Sequence, residues 1–480
     1  MIIPSIDLMD GRAVQLRQGK EFVLDGGDPF ERLDEFSVAG EVAIVDLDAA
    51  MGKGSNAPII RELIRRAPCR IGGGIRDIDT ALAWLDAGAE RIVIGTAASV
   101  EFCAQLPRER VIAAVDAKGG KVVVEGWQTQ TEHGVIDRIA ELAPVVGGFL
   151  LTQVEYEGGM GGWNEELVAQ AVETAGNVRI TAAGGITTAE DVGRLDRLGA
   201  DAQVGMALYT NRMALGDAVG APLVKAIDGR LWPTVVCDEE GHAIGLVWST
   251  RESLAAAVAE RRGIYWSRSR DSLWIKGETS GATQELIRVE LDCDRDALRF
   301  VVRQRGSGFC HTGTPGCWPT PFTLSTLSDL IDRRGREAPE GSGTAKLMAE
   351  PGLLASKLRE ETEELIQALQ RDETGLRSGD ETADEVIHEA ADLLYFTLVA
   401  ASSRGEGVES LRRELARRNL RVRRRPMATK TDEDENGAER SEPMKKGEFE
   451  REGAKSDGGE DPDGRARPDA GKGLDGGEAR

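Results

Sequence analysis

The chain has 480 residues, enough for about three domains at roughly 150 residues each. Its 82 acidic against 60 basic residues give a net charge of −22, which argues against nucleic acids or anionic membranes as partners, since both require clustered positive charge. Six cysteines in so long a chain exclude a secreted disulfide scaffold, and the 40% hydrophobic content excludes wholesale disorder. The opening Met1-Ile2-Ile3-Pro4-Ser5-Ile6-Asp7 has no basic segment, and no stretch reaches the roughly 20 apolar residues of a membrane helix. A soluble, cytoplasmic, multidomain protein is expected.

Over residues 1–225 short β-rich runs alternate with helical patterns. Residues 2–6, 42–45, 70–71 and 91–94 read as strands, 58–66 and 79–87 as helices, and such alternation predicts a parallel sheet. The segment also repeats itself. Ile6-Asp7 recurs as Val115-Asp116, Gly73-Gly74-Ile75 as Gly184-Gly185-Ile186, and Gly95-Thr96-Ala97 as Gly205-Met206-Ala207, at offsets of 109, 111 and 110 residues. Two halves of four strands each make a (β/α)8 barrel with a twofold internal repeat.

Chemistry in such barrels sits at the C-terminal ends of the strands. Asp7 and Asp116 end strands one and five, opposite each other across the mouth, where one carboxyl can donate a proton while the other removes one. Gly73, Gly74, Gly184 and Gly185, with Gly95, Thr96 and Gly205, let backbone N–H groups approach phosphate oxygens closely. Two facing cradles imply a long ligand with a phosphate at each end.

These residues carry a resemblance. Ile3-Pro4-Ser5-Ile6-Asp7-Leu8-Met9-Asp10-Gly11, Leu16-Arg17-Gln18-Gly19, Val45-Asp46-Leu47-Asp48, Gly72-Gly73-Gly74-Ile75-Arg76 and Gly126-Trp127-Gln128 resemble the isomerase of histidine biosynthesis that acts on phosphoribosylformimino-5-aminoimidazole carboxamide ribotide. The resemblance implies an Amadori aldose–ketose rearrangement with Asp7 as general base, Asp116 as general acid and Thr152 as a supporting hydroxyl. Trp127 would stack on the substrate and Arg17 would contact it.

Residues 229–320 are β-rich, with candidate strands at 265–268 and 286–291. Asp292-Cys293-Asp294-Arg295-Asp296 has strand-like alternation, so Asp292, Asp294 and Asp296 would share one face and suit Mg²⁺. Cys293, on the other face, can join Cys310 and Cys317 in a three-thiolate Zn²⁺ site with an open position, and His311 is a candidate base or proton shuttle. Ser267-Arg268-Ser269-Arg270, Leu273-Trp274-Ile275-Lys276-Gly277-Glu278-Thr279-Ser280-Gly281, the aspartate run and Cys310-His311-Thr312-Gly313 with Cys317 resemble phosphoribosyl-AMP cyclohydrolase. That resemblance implies a zinc-activated water opening the purine ring, with Arg268, Trp274 and Lys276 on the substrate and a zinc site completed across a homodimer.

Residues 321–425 read as an all-α helical bundle. Lys357, Glu360, Glu361 and Glu364 share one helix face at i, i+3, i+4 and i+7, and Glu389 and Asp392 follow on another helix. Like charges so placed repel unless a cation such as Mg²⁺ neutralises them. Glu-Glu-x-x-Glu followed by Glu-x-x-Asp-Leu-Leu-Tyr resembles phosphoribosyl-ATP pyrophosphohydrolase. Residues 426–480 are rich in Gly, Asp, Glu, Lys and Arg and are expected to form a disordered tail.

The three resemblances fall on consecutive reactions, so the chain reads as a trifunctional fusion acting on phosphoribosyl nucleotides, including an ATP derivative, with no nucleic-acid or membrane partner. Two alternatives concern the barrel: it also isomerises phosphoribosylanthranilate, or it is an inactive scaffold for the other two domains.

Overall fold

The computed structural model describes residues 1–423 except Glu125, Gln128, Met160, Lys225, Ile227, Asp228, Thr320, Pro321 and residues 374–378; the expected tail lies outside the described residues. Eight parallel strands form a closed ring: β1 (Ile2–Met9), β2 (Val42–Asp46), β3 (Cys69–Gly72), β4 (Arg91–Ile94), β5 (Val111–Lys118), β6 (Gly148–Gln153), β7 (Arg179–Ala183) and β8 (Ala200–Val204). Pairing of Ile2 with Ala202 closes it between β1 and β8. Ile6, Ile44 and Ile71, on the strand faces turned away from the mouth acids, are fully buried beneath the helices, while Ile112, Leu150 and Ala183 pack inside the ring.

The internal repeat governs local stops and starts. Asp77 caps the helix Ile78–Ala87 by accepting from Thr80 N, and Thr188 caps Ala189–Leu198 by accepting from Asp191 N. Gly88 and Gly199 end these helices at φ of 106° and 89°, a backbone only glycine adopts without strain. Two antiparallel ribbons unforeseen in the sequence follow the same repeat: Arg12–Arg17 with Glu21–Gly27 after β1, and Lys121–Val124 with Thr129–Gly134 after β5.

A second sheet follows, in the order β10 (Ala243–Ser249), β9 (Trp232–Cys237), β14 (Leu298–Gln304), β13 (Gln284–Leu291), beside a hairpin of β11 (Ile264–Ser267) and β12 (Ser272–Ile275). Tyr265 is fully buried against Phe300 and Trp274, and its hydroxyl donates to Gln284 Oε1 at 2.6 Å. One expectation fails here. Residues 292–296 form the turn between β13 and β14 rather than a strand, because Asp292 Oδ1 accepts from Asp296 N (2.9 Å) and Ala297 N (3.1 Å) while Arg295 adopts φ 64°.

The helical region comprises α1 (Leu324–Glu337), α2 (Gly343–Ala349), α3 (Pro351–Glu373), α4 (Gly379–Ser402) and α5 (Val408–Asn419). Ile331, Leu347, Leu354, Phe396, Leu398 and Val399 form its core. Ile366, Leu369, Ile387 and Leu394 of the long pair α3 and α4 remain 40–65% exposed, a second apolar stripe that this core does not use. Among the described residues no helix is long and apolar enough to cross a membrane.

Candidate active sites

At the barrel mouth Asp7 lies in register with Val45 of β2 and Val14 of the first ribbon, and Asp116 with Thr152 of β6. Burial pushes the Asp7 carboxyl up to about 7. Burial also raises Asp116, opposed by hydrogen bonds from Trp127 and the buried Thr152. Trp127 holds φ 68°, and its ring lies so close to Gly19 that a Cβ there would come within 2.9 Å. The two ribbons thus meet above the acids. Exposed Arg17 stands at the rim, its Nη1 3.4 Å from Glu21 Oε2.

The structure adds a third acid that the sequence reading missed. Glu157 follows β6, and its carboxyl is pushed up to about 7 by burial first and then by the charges of Asp7 and Asp116. Its Oε2 lies 3.2 Å from where a Cβ on Gly184 would stand. The available signal was an acid placed directly before Gly158-Gly159 at a strand end. Interacting acids of this kind release protons as a set.

The glycine runs of the two halves take matching backbone conformations. Gly73 and Gly184 adopt φ of 96° and 91°, and a Cβ would sit 2.2 Å from Asp46 O and 2.6 Å from Gln153 O respectively. Gly74 and Gly185 are also at positive φ, while Gly95 and Thr96 are exposed. Glu157, Gly184, Gly185, Gly205 and Met206 line one cavity, so the second cradle adjoins the third acid.

In the second domain Cys310 Sγ accepts from Thr312 Oγ1 at 3.1 Å, and with lesser help from Thr314 and Cys317 this lowers the thiol to about 6. Cys317 is raised, by burial and by Cys310. His311 is exposed, with Nδ1 3.8 Å from Cys310 Sγ. Cys293 does not join them within the chain. Cys317 N bonds Ile244 O on β10 at one sheet edge, whereas Cys293 sits in the β13–β14 turn. Among the described residues no group of three side chains that could hold a metal ion includes these cysteines.

Lys276 is 6% exposed, and its ammonium donates to Ala282 O (3.1 Å) and Gly308 O (3.5 Å), so it braces the loop before Cys310. Trp274 is half-buried against Tyr265. Arg268 is exposed, its guanidinium 4.6 Å above the Trp248 ring. The carboxylates of Asp292, Asp294 and Asp296 converge, each offering an oxygen within 4.8 Å of the others.

In the bundle Glu361, Glu389 and Asp392 converge within the same limit, and Glu361 is buried. Glu360 and Glu364 stay outside this set. Glu360 is exposed and bonds Lys357 Nζ at 2.9 Å, while Glu364 is exposed with its carboxyl raised by burial, Glu361 and Glu389. Lys357 also bonds Glu361, at 3.1 Å, and so links Glu360 to the converging set.

Residues 1–214 match a family described as histidine biosynthesis protein, residues 245–319 the phosphoribosyl-AMP cyclohydrolase family and residues 324–419 the phosphoribosyl-ATP pyrophosphohydrolase family. A phosphoribosylated imidazole-4-carboxamide isomerase of Methanocaldococcus jannaschii is 34% identical over 232 residues, 46% of this chain and 98% of that protein. The chain belongs to the histidine-biosynthesis protein family. A histidine biosynthesis trifunctional protein of Kluyveromyces lactis is 39% identical over 225 residues, 46% of this chain and 26% of that protein. The bifunctional protein his7 of Schizosaccharomyces pombe is 42% identical over 195 residues, 41% of this chain and 44% of that protein. The chain thus spans less than half the length of these two relatives.

Proposed function

We propose that the chain performs three consecutive steps of histidine biosynthesis on phosphoribosyl nucleotides. The bundle releases pyrophosphate from phosphoribosyl-ATP, the second domain opens the purine ring of phosphoribosyl-AMP, and the barrel isomerises the product from aldose to ketose. The observation that carries the reading is the presence in one chain of three separate acid or thiol clusters, each inside the segment matched by the corresponding family.

In the barrel, a protonated acid gives its proton to the ring oxygen as the aldose opens, and Asp7 removes the proton from the adjacent carbon to form the enolamine. Both roles must coexist near neutral pH, and acids raised to about 7 meet that demand. Glu157 shares the donor role with Asp116, since a phosphate in the adjoining cradle would favour its protonated form further.

The residues present fit divalent ions. Glu361, Glu389 and Asp392 would hold Mg²⁺ on the polyphosphate, and Asp292, Asp294 and Asp296 a second Mg²⁺. Cys310 and Cys317 would supply two sulfurs to Zn²⁺, and Cys293 of a second copy the third, which makes the active form a homodimer. These ions supply Lewis acidity toward water and neutralise phosphate charge. The exposed stripe of Ile366, Leu369, Ile387 and Leu394 supports such pairing. Assays of the full chain on each substrate separately test the reading; three turnovers are expected, and loss of any one removes that domain's assignment.

A further inference from the structure

The turn that carries Asp292, Asp294 and Asp296 is held from outside its own domain. Arg295, between the second and third of these acids, donates through Nε to Asp196 Oδ2 (3.1 Å) and through Nη2 to Asp196 Oδ1 (3.0 Å). Asp196 belongs to the barrel helix Ala189–Leu198. The Arg295 carbonyl accepts from Val224 N at 2.8 Å, and Val224 O in turn accepts from Trp232 Nε1 at 2.9 Å. Arg295 Nη1 reaches back to Asp292 O at 2.7 Å. Both the side chain and the backbone of this left-handed residue are therefore fixed by barrel and linker groups.

Asp196 is an odd choice for its place. A carboxylate in the last turn of a helix meets the negative end of the helix dipole. It is nonetheless only 12% exposed, and its partners are Arg295 and the Met1 ammonium at 3.2 Å. A group that is unfavourable to its own helix is thus compensated by the neighbouring domain and the chain start.

We propose that Asp196 of the barrel is a positioning residue for the divalent-cation site at Asp292, Asp294 and Asp296, acting through Arg295. The barrel thereby sets the ion affinity of the ring-opening domain, and the barrel mouth, at the opposite end of the strands, takes no part. The inference rests on the reading of these acids as an ion site. Ordinary electrostatics predicts the opposite sign for one substitution: removing the Arg295 charge beside three carboxylates should tighten cation binding, whereas removing a brace should weaken it.

The test uses Mn²⁺ as probe on the full chain with Asp392→Asn to silence the bundle set, free Mn²⁺ being read by electron paramagnetic resonance. The parent should bind one Mn²⁺ per chain at the turn. Arg295→Met and Asp196→Asn should each raise Kd about tenfold. Asp196→Glu should restore affinity to within about threefold, and isomerase turnover should be unchanged in the Asp196 variants, which also reports an intact barrel. Arg295→Met binding Mn²⁺ as tightly as the parent, or more tightly, overturns the inference while leaving the ion site standing. A parent that binds no Mn²⁺ overturns the ion site and the inference with it.

Discussion

A carboxyl group in a barrel mouth must balance lost hydration against the charge it needs for catalysis. Asp7 and Glu157, both raised to about 7, sit at that balance. Asp7→Asn or Asp116→Asn should lower isomerase kcat by at least about 10³-fold, since an amide neither takes nor gives the proton, and ring opening should continue. The same burial has a stability consequence of definite sign. The fold retains the Asp7 proton up to about pH 7, whereas the unfolded chain releases it near 3.8, so this group lowers stability as pH rises from about 4 to 7. Asp7→Asn should therefore be more stable than the parent by about 4 kcal/mol at pH 8 and about equal at pH 4, as read from denaturant melts at both. Asp7 and Asp116 were legible because the repeat placed them at matching strand ends, and Thr152 through the family resemblance. Glu157 lies past the end of β6, away from the anchors of the repeat, and charge alone does not reveal that the Lys276 side chain is buried on carbonyls.

At the scale of elements, periodicity exposed the strands and helices but not the geometry between them. The ribbons after β1 and β5 carry no helical pattern, and their short apolar runs, such as Phe22-Val23-Leu24 and Val122-Val123-Val124, do not show that they form hairpin arms instead of joining the ring. The aspartate run reads as alternation until Arg295 turns the chain at positive φ. Lys276→Met should leave the second sheet folded but loosen the loop before Cys310, so amide exchange over residues 305–317 should quicken and ring opening should fall; unchanged exchange would show that the brace is dispensable. In the bundle, repulsion and cation binding make opposite demands on Glu361, Glu389 and Asp392. Glu361→Gln should be at least as heat-stable as the parent without Mg²⁺ and should lose most of the stabilisation that Mg²⁺ confers. A pyrophosphate rate equal to the parent's would mark these acids as an ordinary solvated face.

For the whole molecule, the order of the three matched families was readable because each segment carries its own motifs. The cysteines do not come together within one chain, because sequence spacing does not show where a turn will carry them: Cys293 sits in the β13–β14 turn and Cys317 in the loop that bonds Ile244. If two copies complete the zinc site, Cys293→Ser and Cys310→Ser chains should each be inactive in ring opening alone. Mixing and refolding them together should restore roughly a quarter of parental activity, since half of the dimers are mixed and each carries one intact site. No recovery would place Cys293 outside the site.

The most direct test of three consecutive activities in one chain is to supply phosphoribosyl-ATP with Mg²⁺ and Zn²⁺ to the full chain and identify what accumulates by mass and chromatography. The account predicts the ketose isomer of the ring-opened imidazole carboxamide ribotide, with stoichiometric pyrophosphate. Accumulation of phosphoribosyl-AMP, or of the unisomerised aldose, would contradict it.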